Sequence, residues 1–153
     1  MAERGKVMTA DDIKDIIRNN YEDGLGEWIV LFELRTSTGY TPARYIDAMA
    51  FNCWPSKKYL RIAFEIKTTK ADFLNELKDP GKRFLAEIYS NLFYFVAPKG
   101  VLDWRNIPVG CGLIEIKDHK LRVELKPRLR EASPLPDSFI VSALRKARYT
   151  RWL

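Results

Sequence analysis

Apolar positions along this chain change their spacing several times, and each change marks an element. Thr9 followed by Asp12 is a pairing that caps a helix start, and Ile13, Ile16 and Ile17 form an apolar stripe that predicts a short helix to about Asn20. After the turn-like Glu22-Asp23-Gly24, the residues Leu25, Trp28, Ile29, Leu31 and Phe32 recur at helical spacing. They predict a second helix over Leu25 to Arg35, carrying Glu33 and ended by Thr36-Ser37-Thr38-Gly39. The segments Arg44 to Asn52 and Lys58 to Thr68 are rich in β-branched and aromatic residues and flank Trp54-Pro55-Ser56-Lys57, which predicts a β-hairpin.

Lys70 to Leu77 reads as a short helix, interrupted by Asp79-Pro80-Gly81 and resumed over Lys82 to Tyr89, with Phe84, Leu85 and Ile88 on one side. The unbroken apolar run Leu92 to Ala97, ended by Pro98-Lys99-Gly100, predicts a central strand buried on both faces. Gly112 to Ile116 and Leu121 to Leu125 form a second hairpin about Lys117-Asp118-His119-Lys120. A linker, Ser133-Pro134-Leu135-Pro136, leads into a closing basic helix over Phe139 to Arg151. Its apolar side is Phe139, Ile140, Ala143, Leu144 and Ala147, set against Arg145, Lys146, Arg148 and Arg151. The order predicts an α/β fold, a mixed central β-sheet flanked by helices, in a single domain over residues 1–153. Its core spans about 25–126 and the basic helix about 137–152.

The first hairpin concentrates the candidate chemistry. A turn centred on Ser56 sets Asp47 opposite Glu65, with Cβ atoms roughly 4.5–5.5 Å apart. The two-residue period brings Lys67 to the same face and leaves Ile46, Ala48, Ala50, Leu60, Ile62, Phe64 and Ile66 as an apolar set on the other. A slip by one residue would push Asp47 or Glu65 into that set, at the cost of burying an unpaired carboxylate. Adjacent carboxylates on a half-covered sheet repel each other, and a hard divalent cation relieves the conflict. Mg²⁺ is the expected ion, with Mn²⁺ as a substitute, because such ions bind through one or two carboxylates together with phosphate oxygens. A metal there would polarise a phosphorus centre and activate water, and Lys67 would orient that water or neutralise charge on the phosphorane.

Asp47 followed by a strand ending Phe64-Glu65-Ile66-Lys67 resembles the PD-(D/E)xK nuclease superfamily, a restriction-endonuclease-like group. The continuation Lys67-Thr68-Thr69-Lys70-Ala71-Asp72-Phe73-Leu74, then Lys82 and Asn91 to Pro98, is similar to its MmcB-type DNA-repair branch, over about residues 27 to 116. The resemblance implies metal ligation by Asp47, Glu65 and the backbone carbonyl of Ile66, with Lys67 as catalytic lysine. Glu33 matches the acidic residue that many members carry on the preceding helix, as a further catalytic and metal-binding position. Ile46 stands at the position of the motif's proline, a departure from the motif, although that proline is often absent within the superfamily. The same ExK spelling recurs at Glu115-Ile116-Lys117 and Glu124-Leu125-Lys126, but neither follows a register-matched Asp, and a hairpin's solvent face accounts for both.

Composition narrows the partner. Among 153 residues, 26 Lys and Arg outweigh 20 Asp and Glu, for a formal charge of +6, which favours a polyanion such as DNA. From Lys126 onward the basic residues Lys126, Arg128, Arg130, Arg145, Lys146, Arg148 and Arg151 face only Glu131 and Asp137. Lys70, Lys82, Arg83, Arg145 and Arg148 are the candidate DNA contacts, and solvated positions are the alternative for each. Trp104, Tyr149 and Trp152 could stack on bases, although packing into a core or interface is the expectation for them. His119, at a turn tip, reads as solvated and Tyr89 as core. Cys53 and Cys111 have no partner at metal-binding spacing, and no apolar run approaches a membrane span, so a cytoplasmic protein is expected. The function expected is a Mg²⁺-dependent DNA nuclease, an endonuclease in repair, recombination or phage DNA processing, with a homodimer possible. A non-catalytic nucleic-acid-binding module and an interaction protein with an acidic partner are the competing readings.

Overall fold

The computed structural model describes residues 7–37 and 44–150, the last two by backbone alone. A helix α1 (Ala10–Tyr21) opens the fold, with Thr9 and Asp12 forming a reciprocal capping box. Six strands follow in one sheet: β1 (Trp28–Arg35), β2 (Tyr45–Asn52), β3 (Arg61–Ile66), β4 (Leu92–Pro98), β5 (Gly112–Lys117) and β6 (Lys120–Leu125). Their spatial order is their chain order. β1, β2 and β3 are antiparallel neighbours, β3, β4 and β5 run parallel, and β6 returns antiparallel. Helices α2 (Lys70–Leu77) and α3 (Phe84–Ile88) make the crossover from β3 to β4, and α4 (Asp137–Thr150) closes the chain. The result is a single α/β domain with a mixed sheet between helical layers.

Ile13, Ile16 and Ile17 of α1 cover one face of the sheet, packing on Val30, Phe32, Ala48, Ala50, Ile62 and Phe64. Phe73 of α2, Ala86 of α3 and Phe139 of α4 cover the other, against Leu31, Met49, Ala63, Phe93 and Phe95. The sheet is thus buried on both sides through its centre, not half-covered. Among the described residues, no helix is long and apolar enough to cross a membrane.

Four local expectations are corrected. The helix expected over Leu25 to Arg35 is strand β1: Val30, Leu31 and Phe32 are buried in succession, which a strand covered on both faces permits. Gly24 and Gly26, at φ +86° and +76°, turn the chain before it can start a helix. Thr38 and Gly39 lie outside the described residues. The helix expected from Lys82 begins with a 3₁₀ turn, Pro80–Lys82, and α3 is only one turn long, with Phe84 exposed. On α4, Phe139, Ala143 and Ala147 pack inward, but Ile140 and Leu144 are exposed. Trp104 is also exposed, at 57%.

The β2–β3 register is the one a turn centred on Ser56 gives: Ala48 faces Phe64, Met49 faces Ala63, Ala50 faces Ile62 and Phe51 faces Arg61. Between those strands a 3₁₀ turn, Pro55–Lys57, is followed by Lys58 and Tyr59, both with positive φ. The fourth correction lies at the other end of β2. Phe32 and Ala48 belong to one core cluster, whereas their neighbours Leu34 and Ile46 belong to the other. Both strands therefore change faces at Glu33 and Asp47, and Ile46 leaves the apolar set of Ala48 and Ala50. Glu33 takes φ +49° to make the change and is absent from an otherwise continuous ladder.

Candidate functional site

Asp47, Glu65 and Lys67 meet where β2 begins and β3 ends. The paired ladder stops at Ala48 and Phe64, and the Asp47 carboxylate continues it by accepting the Ile66 amide at 2.8 Å through Oδ2. Glu65 shares its sheet face with Ala63, and Lys67, two residues on, returns to that face and donates to Glu65 Oε1 at 3.0 Å. These groups are sheltered: the Glu65 and Lys67 side chains are 15% and 13% exposed. An exposed ladder of surface charges is therefore not what the residues form.

Burial sets the electrostatics. Loss of water, then the neighbouring Asp47 carboxylate, pushes Glu65 up to about 8, against an ordinary value of 4.5. Asp47 is raised as well, chiefly by burial, with the Ile66 amide and Lys67 pulling the other way. Burial works against the Lys67 ammonium, but Glu65 and Glu76 outweigh it and hold its pKa above the ordinary lysine value. At neutral pH the site holds a charged lysine beside two carboxyl groups that resist ionising together.

Glu76, on α2, is the residue that sequence reasoning missed. Its Oε1 accepts from Lys67 at 3.0 Å and its Oε2 lies 3.5 Å from Arg83 Nη1, with the Glu76 side chain only 5% exposed. Arg83 is itself buried, lies over the Phe95 ring at 5.6 Å and also pairs with Glu87. A signal existed: Glu76 falls three residues after Phe73 on the apolar side of α2, where a carboxylate needs a cation.

The other predicted residues spread out. Glu33 is on β1 rather than a helix, 62% exposed in its side chain and bound to Lys14 Nζ of α1 at 2.6 Å, which lowers its pKa. Among the described residues, no group of three or more His, Cys, Asp and Glu side chains is gathered for a metal, so Glu33 does not join Asp47 and Glu65 in such a group. Arg83 is committed to internal carboxylates rather than to a surface. Lys70, Lys82, Arg145 and Arg148 are exposed. A cleft of about 220 Å³ opens beside Glu65 and Glu76, which line it together with Arg44, Tyr45 and Lys82; Asp47 and Lys67 are not part of its lining. It brings Lys82 to the site and adds Arg44, which the sequence reading did not single out. Arg151 and Trp152 lie outside the described residues.

No protein-family model and no curated protein sequence matches the chain. Among solved structures, a protein of unknown function from Silicibacter pomeroyi is similar, with 16% identity and a TM-score of 0.60, over 86% of this chain and 84% of that one. At that identity the likeness is one of fold.

Proposed function

We propose that this protein is a metal-dependent phosphodiesterase of the PD-(D/E)xK type that cleaves DNA. The observation that carries the reading is the half-buried Asp47 and Glu65 pair with Lys67 at 3.0 Å from Glu65, and Glu65 lines a cleft edged by Arg44 and Lys82. The order of a helix, an antiparallel three-stranded unit, a helical crossover and a parallel fourth strand agrees with it, as does the formal charge of +6.

The donor set suits a hard divalent cation such as Mg²⁺ or Mn²⁺. Two carboxyl groups whose ionisation is opposed by burial and by each other gain from a cation that removes the repulsion, and both offer only oxygen. Asp47, Glu65 and the Ile66 carbonyl would hold it, and when bound it supplies Lewis acidity and an acidified water. The chain's own residues do the rest. Lys67, fixed by two carboxylates, is poised to orient the attacking water and to meet negative charge on the phosphorus oxygens. Arg44 and Lys82 flank the cleft as cations for the neighbouring phosphate. Glu76 holds Lys67 in place, and Arg83 holds Glu76.

The test is incubation with supercoiled, linear, single-stranded and branched DNA in Mg²⁺, Mn²⁺ or EDTA. Cleavage that requires metal supports the reading and names the substrate. Salt-sensitive binding without cleavage in every lane replaces it with a non-catalytic nucleic-acid-binding module.

A further inference from the structure

The second cleft on this face of the sheet has no role in the site described so far. It measures about 490 Å³ and is lined by the β4–β5 loop from Gly100 to Arg105, by Leu113, Glu115 and Glu124, and by Lys70. Its exposed aromatic wall is Trp104. A large indole 57% exposed on a rigid element calls for an explanation, and the loop is rigid: Leu102 and Ile107, on either side of Trp104, are anchored in the core at 6% and 8% exposure. Asp103 caps the intervening 3₁₀ turn by accepting the Arg105 amide. The chain thus spends two core residues and a cap on holding an indole in solvent.

The position of this cleft relates it to Asp47, Glu65 and Lys67. Glu65 is paired with Phe95, and Phe95 with Leu113, so the three residues form one row across β3, β4 and β5. Phe95 and Leu113 share a core cluster with Ala63, which puts the cleft floor and Glu65 on the same face. Two strand spacings separate them, roughly 10 Å, and Phe73 of α2 packs on Phe95 between them, so a nucleic-acid strand joining the two would pass over the start of α2. Lys70 lines the cleft three residues after Lys67, at the start of α2.

The cleft's charges favour a base over a phosphate on its floor. Its carboxylates are already engaged: Asp103 with Arg105 at 2.7 Å, Glu124 with Arg122 at 3.0 Å, and Glu115 as acceptor from the Gly100 amide at 2.8 Å. Lys70 stands at its margin for the backbone charge, whereas Arg105 is held by Asp103. A neutral aromatic ring stacked on Trp104 with its phosphate toward Lys70 satisfies both parts.

We infer that Trp104 is a base-stacking subsite for an unpaired nucleotide next to the scissile phosphate, so that the preferred substrate is single-stranded or locally opened nucleic acid. This rests on the nuclease reading for its link to cleavage, but not for binding.

The experiment measures binding of a labelled single-stranded oligonucleotide and of its duplex by the full chain in EDTA and low salt, for wild type, Trp104→Ala and Trp104→Phe. Cleavage of both in Mg²⁺ is followed in parallel. Single-strand binding should weaken about tenfold in Trp104→Ala, recover in Trp104→Phe, and leave duplex binding and the melting temperature unchanged. Single-strand binding unaltered by Trp104→Ala, or equal losses for both substrates, overturns the inference. Cleavage by wild type with no effect of Trp104→Ala on single strands removes the subsite and leaves the nuclease. Trp104-dependent binding with no cleavage by wild type leaves the subsite and removes the nuclease. A wild type that binds neither strand removes both.

Discussion

The ammonium of Lys67 stands 3.0 Å from Glu65 Oε1 and 3.0 Å from Glu76 Oε1, so one cation joins the end of a central strand to the helix that follows it. Glu76 is shared with buried Arg83, and removing its carboxylate leaves two sheltered cations short of a partner. Glu76→Ala should therefore lower the unfolding free energy by about 3 kcal/mol, read from urea denaturation. Glu76→Gln, which keeps an acceptor for Lys67, should cost less. Equal stability of Glu76→Ala and wild type would mean the network contributes nothing.

Glu65 gives the metal-free protein a pH dependence of definite sign. Its folded carboxyl titrates at about 8 against an ordinary 4.5, so in that window the folded state keeps a proton that the unfolded chain releases. Stability is then fully present below the lower value and lost as pH rises through the upper one, by at most about 1.4 kcal/mol per pH unit for one group. In EDTA the urea midpoint should fall between these pH values, and Glu65→Gln should flatten that fall. A midpoint that rises with pH in wild type would contradict the assignment.

The hairpin that carries the site was legible because the apolar pattern tolerates only one register, and the turn at Ser56 supplies it. The run Leu92 to Ala97 was legible as a central strand for its unbroken apolarity. β1 was not: Val30, Leu31 and Phe32 are contiguous, and contiguous apolar residues fit a helix stripe and a doubly buried strand equally well. The face change at Glu33 and Asp47 is invisible to a strict two-residue period, which is why Ile46 was assigned to the wrong core. Arg83 read as a surface cation because its buried partner Glu76 comes from the preceding helix α2, across the Asp79-Pro80-Gly81 interruption, although Glu87 lies only four residues on. The same limit hid Glu76.

Glu33 adopts φ +49° inside a strand, a conformation that costs a residue with a Cβ roughly 1–2 kcal/mol. In its pair with Lys14 the Glu33 carboxylate is exposed at 62%, so the pair contributes little. Glu33→Gly should raise the unfolding free energy by about 1 kcal/mol, whereas Glu33→Val should lower it. A destabilising Glu33→Gly would show that the Lys14 pair outweighs the backbone strain.

Gly112 starts β5 with no room for a side chain. A Cβ there would meet Leu125 O at 2.7 Å, Pro127 Cδ at 2.8 Å and Tyr94 Cδ1 at 2.8 Å. Gly112→Ala should cost about 2 kcal/mol by forcing β6 and the segment after it away from the sheet. Thermal melting reads the loss, and an unchanged melting temperature would contradict this close packing.

The central claim, that Asp47 and Glu65 serve metal-dependent phosphodiester hydrolysis, is tested most directly by Asp47→Asn, which keeps an acceptor for the Ile66 amide but removes the charge. The measurement is cleavage of a labelled DNA across a Mg²⁺ titration, with circular dichroism to verify the fold. The account predicts metal-dependent cleavage by wild type and background cleavage by the folded variant at every Mg²⁺ concentration. Cleavage by the variant at the wild-type rate, or wild-type cleavage that persists in EDTA, would contradict it.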